Sequence, residues 1–350
     1  MTDIKSLSKT ELEEVVTSWQ EPKYRAKQIF EWLHKHLAES VSEMTNLPLK
    51  LREKIETGFY FPKLEIADKL ISEADGTIKF LFRLQDSNVI ESVLMQYEHG
   101  YSVCISSQVG CRMGCSFCAS TIGGKIRDLT AGEMLEQVYH IENYLRDSAD
   151  SAARVSNVVV MGTGEPFDNF ENFCRFYERI TDADGLNISG RNITVSTCGI
   201  TDKIRELADK HFALTLAISL HAPNDELRQT IMPSARKYKI NDILSACEYF
   251  FEQTGRRITF EYSLINGVND SEECALELAS LLKGKNVHVN LIPINPVKER
   301  DFRRSSNDGV MAFKKILEKN RINVTIRRGM GKNIDAACGQ LRRSFIKEKE

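Results

Sequence analysis

The chain has 350 residues, 42% hydrophobic and 27% charged, an ordinary globular composition with room for one large domain and a smaller one. A net charge of −2 excludes a whole-molecule field that draws in nucleic acid, so any RNA contact must be local. No apolar run approaches the ~18 residues that span a bilayer, and the opening MTDIKSLSKTELEE lacks an apolar secretion segment, so the expected setting is cytoplasmic with no membrane partner. In that reducing compartment nine cysteines point to metal binding or catalysis rather than to a disulfide framework.

Residues 1–60 read as a small helical accessory domain. Ser8 and Glu11 form a capping box ahead of Leu12, Val15, Val16 and Trp19, and a second helix fits Tyr24 to His36 around Ile29, Phe30, Trp32 and Leu33. From 61 to 100 the period drops to two. Ile78, Phe80, Phe82 and Leu84 alternate with Lys79 and Arg83 between turn signals at Asp75-Gly76, 86–88 and 98–100, which predicts a β-meander linker.

Residues 101–340 alternate short β-rich runs (VVVM, ITVS, LTLAIS, ITFEY, VHVNLI, INVTI) with helical patterns such as 131–145, where Thr130 and Glu133 make a second capping box. Repeated βα demands a mostly parallel sheet with right-handed crossovers. Adding the strand near 102–107 gives six βα units and a closing strand, an α/β fold with an open, partial (β/α)6 barrel. Residues 341–350 form a charged tail.

In such folds functional groups gather at the carboxyl ends of the strands. The first strand leads into CRMGCSFC, which holds Cys111, Cys115 and Cys118, and later strands lead into GTGEP, STCG, SLHA, INGVND and PINP. Any one of the later loops is also what an ordinary turn needs. The cysteines are more specific, because spacings of four and three let one loop wrap three thiolates around a cluster. Structural zinc needs a fourth ligand; Cys104 and His140 are the candidates, and neither spacing matches a zinc finger. A cubane 4Fe–4S cluster on three thiolates leaves one iron open to chelate the amino and carboxylate groups of S-adenosylmethionine (SAM).

This cysteine motif, with an aromatic residue before its last cysteine and a GEP loop downstream, resembles the radical SAM enzymes. The strings SQVGCRMGCSFC, MGTGEPFDN, SLHAPND and IDAACGQL together resemble the RlmN branch of the RlmN/Cfr family of RNA adenine methyltransferases, over nearly the whole chain. The resemblance implies methylation of carbon 2 of an adenosine in 23S rRNA at the peptidyl-transferase centre, and of an adenosine next to the anticodon in tRNA. That carbon is not nucleophilic, which motivates a radical route. By resemblance, Cys111, Cys115 and Cys118 hold the 4Fe–4S cluster. One SAM methylates Cys338, and a second yields the radical that activates the S-methyl group. Glu91 is the base, and Cys104 attacks Cys338 to form a transient disulfide that frees the RNA. The matching SAM-binding positions are Gly164, Glu165, Ser196, Ser219, Leu220, His221 and Asn295. The implied partners are 23S rRNA, tRNA and a one-electron reductant such as flavodoxin, with the chain a monomer.

Read from the residues alone, several of these positions keep a second meaning. Glu91 shares a strand face with Val89, Val93 and Met95, so it is either a proton-transfer carboxylate with a raised pKa or a salt-bridged meander residue. Cys104 alone reads as core packing, and His221 as a structural histidine. Cys338 lies in a glycine-rich loop near Arg327, Arg328 and Lys332, a setting for an accessible thiolate. Cys174, Cys247 and Cys274 read as packing, and Cys198 has no assigned role. Lys125, Arg127, Lys298, Arg300, Arg303, Arg304, Arg327, Arg328 and Lys332 form the expected basic rim. Three other readings stay open: a Cfr-like C8 methyltransferase, a non-catalytic zinc RNA-binding module, and an activase that makes a glycyl radical on another protein.

Overall fold

The computed structural model describes residues 1–98, 100–148 and 153–341; the expected tail at 341–350 lies outside them, apart from Leu341. Strand β1 (Thr2–Asp3) pairs in parallel with β2 (Phe59–Tyr60), closing the first sixty residues on themselves. Helix α1 (Lys9–Ser18) starts as its sequence predicts: Glu11 N donates to Ser8 Oγ at 3.1 Å and Ser8 N to the Glu11 carboxylate at 2.7 Å. Helix α2 (Tyr24–His34) stops two residues before the expected His36, because Leu37 takes a left-handed φ of 61°, which a helix cannot continue through. Helix α3 (Leu49–Gly58) follows Pro48. Leu12, Val16, Ile29, Phe30, Leu33, Leu51 and Ile55 pack into a hydrophobic cluster distinct from the main core.

The antiparallel meander is β3 (Glu65–Ile71), β4 (Ile78–Arg83), β5 (Val89–Tyr97) and β6 (Gly100–Cys104). It does more than link. Because β5 pairs with β6, and β6 pairs in parallel with β9 (Val155–Val160), the meander extends the barrel sheet itself. The sheet continues through β10 (Ile193–Thr197), β11 (Thr215–Ser219), β12 (Ile258–Leu264), β13 (Val287–Pro293) and β14 (Asn323–Ile326), all parallel. The ten-strand order is β14-β13-β12-β11-β10-β9-β6-β5-β4-β3. Each parallel strand thus lies beside its predecessor, the arrangement of an open barrel built by successive crossovers. Six of the helices supply the crossovers: α4 (Ala131–Arg146), α5 (Phe170–Ile180), α6 (Thr201–Asp209), α8 (Ile240–Thr254), α9 (Glu272–Leu282) and α10 (Asn307–Lys319); the short α7 (Asp225–Ile231) precedes α8 in the same crossover.

The two units are joined by buried polar contacts. Lys5 pairs with Glu136 of α4, both almost fully buried, and Arg179 of α5 donates to the Leu7 carbonyl at 3.2 Å. Among the described residues no helix is long and apolar enough to cross a membrane.

Candidate active site

The loop after β6 begins and ends in a two-stranded antiparallel ribbon, β7 (Gln108–Gly110) against β8 (Lys125–Asp128). Glycine is required at its neck: Gly110 has a φ of +78°, and a Cβ there would stand 1.9 Å from the Gly124 carbonyl oxygen. Inside the loop, Cys111, Cys115 and Cys118 all face one cavity of about 160 Å³. Burial pushes the Cys111 thiol up to about 12 and Cys115 well above its usual range, with the neighbouring Cys118 and Cys111 adding to the latter. Cys118 is raised by burial against hydrogen bonds from the Ser120 hydroxyl and backbone.

Three soft sulfurs crowded in one desolvated cavity are costly as free thiolates and well suited to iron. The backbone of Met113 aims at the Cys111 sulfur, and Ser120 at that of Cys118, the kind of donors that tune a cluster. Among the described residues no three or more His, Cys, Asp or Glu side chains are gathered to hold one metal ion. A cluster asks for a different set, since each thiolate binds its own iron. The residues present therefore fit a 4Fe–4S group.

Across the cavity stand Gly164, Glu165, Ser196, Ser219, His221 and Asn295, brought there by the ends of β9, β10, β11 and β13. Gly164 has a φ of +116°, and a Cβ would collide with Gln108 at 2.7 Å. Glu165 accepts from Phe167 N at 3.0 Å and Cys198 N at 2.8 Å; burial raises its pKa against those bonds. Ser196 and Ser219 hydroxyls lie 3.1 Å apart. His221 accepts from Ser263 N at Nδ1, 2.9 Å, and burial, with Arg228, pushes its pKa down to about 3. The ring is therefore neutral and carries its proton on Nε2. Leu220 is the exception among the expected SAM positions. Its side chain is wholly buried in the core and does not line the cavity.

Cys338 lies in the wall between this cavity and a smaller one of about 30 Å³, which it shares with Cys104, Met95, Tyr97, Asn295 and Arg327. Cys104 faces Val93 in the β5–β6 register, and burial, then the nearby Cys338, pushes its thiol up to about 12. Neither cysteine is in a disulfide. Glu91, one pleat along from Val93, is fully buried, with Lys79 Nζ at 3.4 Å. The salt-bridged alternative for Glu91 is thus present in the structure. Lys79 also donates to the Asp335 carbonyl at 3.2 Å, linking the pair to the Cys338 loop.

Two expected rim cations are engaged elsewhere. Lys125 pairs with Asp128 and Asp168 at 2.7 and 2.9 Å, and Arg127 with Asp86 and Glu133 at 2.6 and 2.8 Å. Both brace the ribbon. Lys298, Arg303, Arg304, Arg328 and Lys332 are exposed, and Arg304, Arg328 and Lys332 border the smaller cavity. Arg300 is half-buried and donates to Thr121 of the cysteine loop at 3.1 Å.

Arg327 lines both cavities beside Cys338, 3.8 Å from Glu261, and the Cys338 thiol is the leading influence raising its pKa. The sequence places Arg327 on the rim and near Cys338, as found, but does not point to Glu261, an acid inside an apolar strand run that could have signalled a site. Nor does it point to Gln108. That side chain is fully buried, accepts from Glu165 N at 2.9 Å, and donates to Asp128 and Asp168 at 2.7 and 3.0 Å. It ties the GEP loop to the ribbon.

Residues 105–279 match the Radical SAM superfamily, and residues 2–60 match the ribosomal RNA large subunit methyltransferase N-terminal domain. A probable dual-specificity RNA methyltransferase RlmN of Lachnoclostridium phytofermentans is 58% identical over 343 residues, covering 98% of this chain and 95% of the relative. Another of the same name, from Lachnospira eligens, is 57% identical, covering 99% and 98%. The crystal structure of a radical SAM methyltransferase from Sphaerobacter thermophilus superposes with a TM-score of 0.93 at 44% identity, covering 98% of this chain and 100% of that one.

Proposed function

Since this chain belongs to the radical SAM superfamily, and within it to the RlmN-type RNA methyltransferases, we propose that it methylates carbon 2 of adenosine in 23S rRNA, at the peptidyl-transferase centre, and in tRNA next to the anticodon. Membership brings a 4Fe–4S cluster and SAM with it. The observation that carries the finer reading is the double position of Cys338, between the cavity of the three clustered cysteines and the one that holds Cys104. A sulfur that collects a methyl group on one side and yields it on the other needs such a position.

In this reading Cys111, Cys115 and Cys118 hold the cluster in the cavity they line. What such a cluster supplies when bound is the single electron that splits SAM homolytically. Gly164 leaves room for SAM, Glu165 accepts from its amino group, and Ser196, Ser219, Asn295 and the Nε2–H of His221 offer hydrogen bonds to its carboxylate and ribose. Cys338 takes a methyl group from one SAM and carries it to the adenine. Glu91 removes the ring proton. Cys104 then attacks the Cys338 sulfur as a thiolate, so that an S–S bond forms as the carbon–sulfur bond to the RNA breaks, and the freed methylene on the adenine takes up a proton from solvent to become the methyl group. Arg327 lines both cavities beside Cys338 and puts a cation next to that sulfur.

The exposed Lys298, Arg303, Arg304, Arg328 and Lys332 hold RNA phosphates, with binding that weakens as salt rises. A stacked target base must be flipped out to reach the cavity. A one-electron donor such as flavodoxin and action as a monomer complete the proposal.

The test is Cys338→Ala in a strain lacking the native gene, with nucleosides read by mass spectrometry; loss of C2-methyladenosine is expected. Purified Cys104→Ala should retain RNA covalently on Cys338 in a denaturing gel. Methylation found only at carbon 8 would overturn the C2 reading in favour of the Cfr-like one. Zinc without iron in protein purified without oxygen would overturn the cluster.

A further inference from the structure

Arg228, with none of its surface exposed, is among the largest fully buried side chains of the described residues. Its guanidinium donates to four backbone carbonyls: Leu220 at 3.0 Å, Tyr238 at 2.9 Å, Cys198 at 2.6 Å and Ser219 at 3.3 Å. Those bonds engage four of its five N–H groups without neutralising its charge. Among the described residues no carboxylate forms an ion pair with it. A cation buried in this way is costly unless a negative charge is supplied nearby.

Its location says where that charge arrives. Arg228 sits on α7, whose last residue, Ile231, accepts from the backbone N and the hydroxyl of Ser116 at 2.9 and 3.1 Å. Ser116 lies between Cys115 and Cys118. Behind it, Gly114 is so close to Pro233 that an added Cβ would stand 3.3 Å from the ring. Two of the carbonyls that hold Arg228 belong to Cys198 and Ser219, which line the cysteine cavity. The guanidinium thus lies under the floor of that cavity, fixed to the cysteine loop one helical turn away.

We propose that Arg228 is the fixed counter-charge of the iron–sulfur cluster, a positioning residue that makes the cluster's one-electron reduction easier. This rests on the family reading of the cavity. Three thiolates on a 4Fe–4S core carry net negative charge, and reduction adds one more unit in a desolvated site. A cation held there by carbonyls, with Asp225 on the same helix near but not in an ion pair with it, stabilises the reduced form more than the oxidised one. Its neighbour Cys198, without a role in the reaction, then has one here through its backbone, as part of the cradle.

The test is a potentiometric titration of the reconstituted protein followed by electron paramagnetic resonance, on wild type, Arg228→Gln and Arg228→Lys, with iron content and melting temperature recorded for each. Arg228→Gln should lower the reduced fraction at fixed potential at least tenfold, equivalent to about 59 mV for a one-electron couple. Arg228→Lys, which keeps the charge and loses the forked donors, should lower the melting temperature and hold the potential. If Arg228→Gln does not fold, Arg228→Lys decides alone: a tenfold loss of reduced fraction there overturns the proposal, and a retained potential supports it. Equal potentials in wild type and Arg228→Gln would overturn it as well. A wild type that takes up no iron–sulfur cluster would sink the family reading together with this one.

Discussion

Asn295 donates from Nδ2 to the backbone carbonyl of Cys338 at 3.2 Å, joining the segment after β13 to the loop that carries Cys338. On its other side the same loop is held by Ala119 N to the Gly339 carbonyl at 2.8 Å and by the Ser120 hydroxyl to the Leu341 carbonyl at 3.0 Å. Cys338 is therefore positioned from both flanks. A neutral hydrogen bond contributes about 1 kcal/mol net, so Asn295→Ala should slow single-turnover methylation about five-fold with little change in melting temperature. An unchanged rate would show that the tie does not position the sulfur.

Gly110→Ala should be severe. The new Cβ would meet the Gly124 carbonyl, which is backbone and cannot move aside without opening the ribbon, and the φ of +78° is itself unfavourable. A loss of about 2 kcal/mol or more is expected, with a fall in iron bound per chain after reconstitution. Retention of full iron content would contradict the role assigned to the ribbon.

Two buried histidines make the fold acid-sensitive. Burial, then Arg228, holds His221 at about 3, and burial, then Lys5 and Arg179, holds His34 well below its ordinary 6.5. Both bind a proton less tightly folded than unfolded, so the unfolded chain takes up protons first as the pH drops below 6.5. Stability must then fall with decreasing pH, by about 1.4 kcal/mol per unit for each histidine, down to about pH 3 for His221. The difference in urea unfolding between wild type and His34→Phe isolates one of them. It should change by that amount per unit between pH 6 and 5, and a constant difference would refute the assignment.

The Lys5–Glu136 pair is nearly inaccessible on both sides, at 1% and 2% exposure. Glu136→Ala strands a buried ammonium and should cost about 3–5 kcal/mol. Glu136→Gln, which still accepts a hydrogen bond, should cost less. Thermal unfolding gives both numbers, and equal costs would mean that the charge on Glu136 is immaterial.

Much of this was legible in the chain because it is local. Capping boxes at Ser8–Glu11 and Thr130–Glu133 are contacts over three residues, and the two-residue alternation around Phe80 and Phe82 follows from the pleat. The spacing of Cys111, Cys115 and Cys118 needs only one loop. The periodicity carries α2 two residues past its true end because a left-handed Leu37 leaves no compositional mark. Lys125 and Arg127 were placed on the rim because their partners Asp86, Glu133 and Asp168 come from other segments.

The sequence by itself determined the alternation of strands and helices, the three-thiolate loop and the family, since these depend on hydrogen bonds and periodicities spanning a few residues. Only the tertiary structure decided that Cys338 stands between two cavities, that Ser120 and Leu341, 221 residues apart in the chain, are bonded, and that Arg228 is buried on backbone carbonyls with no carboxylate in an ion pair with it among the described residues. Those facts depend on which strand lies beside which, and a sheet order is set by the packing of the whole core rather than by any short stretch of residues.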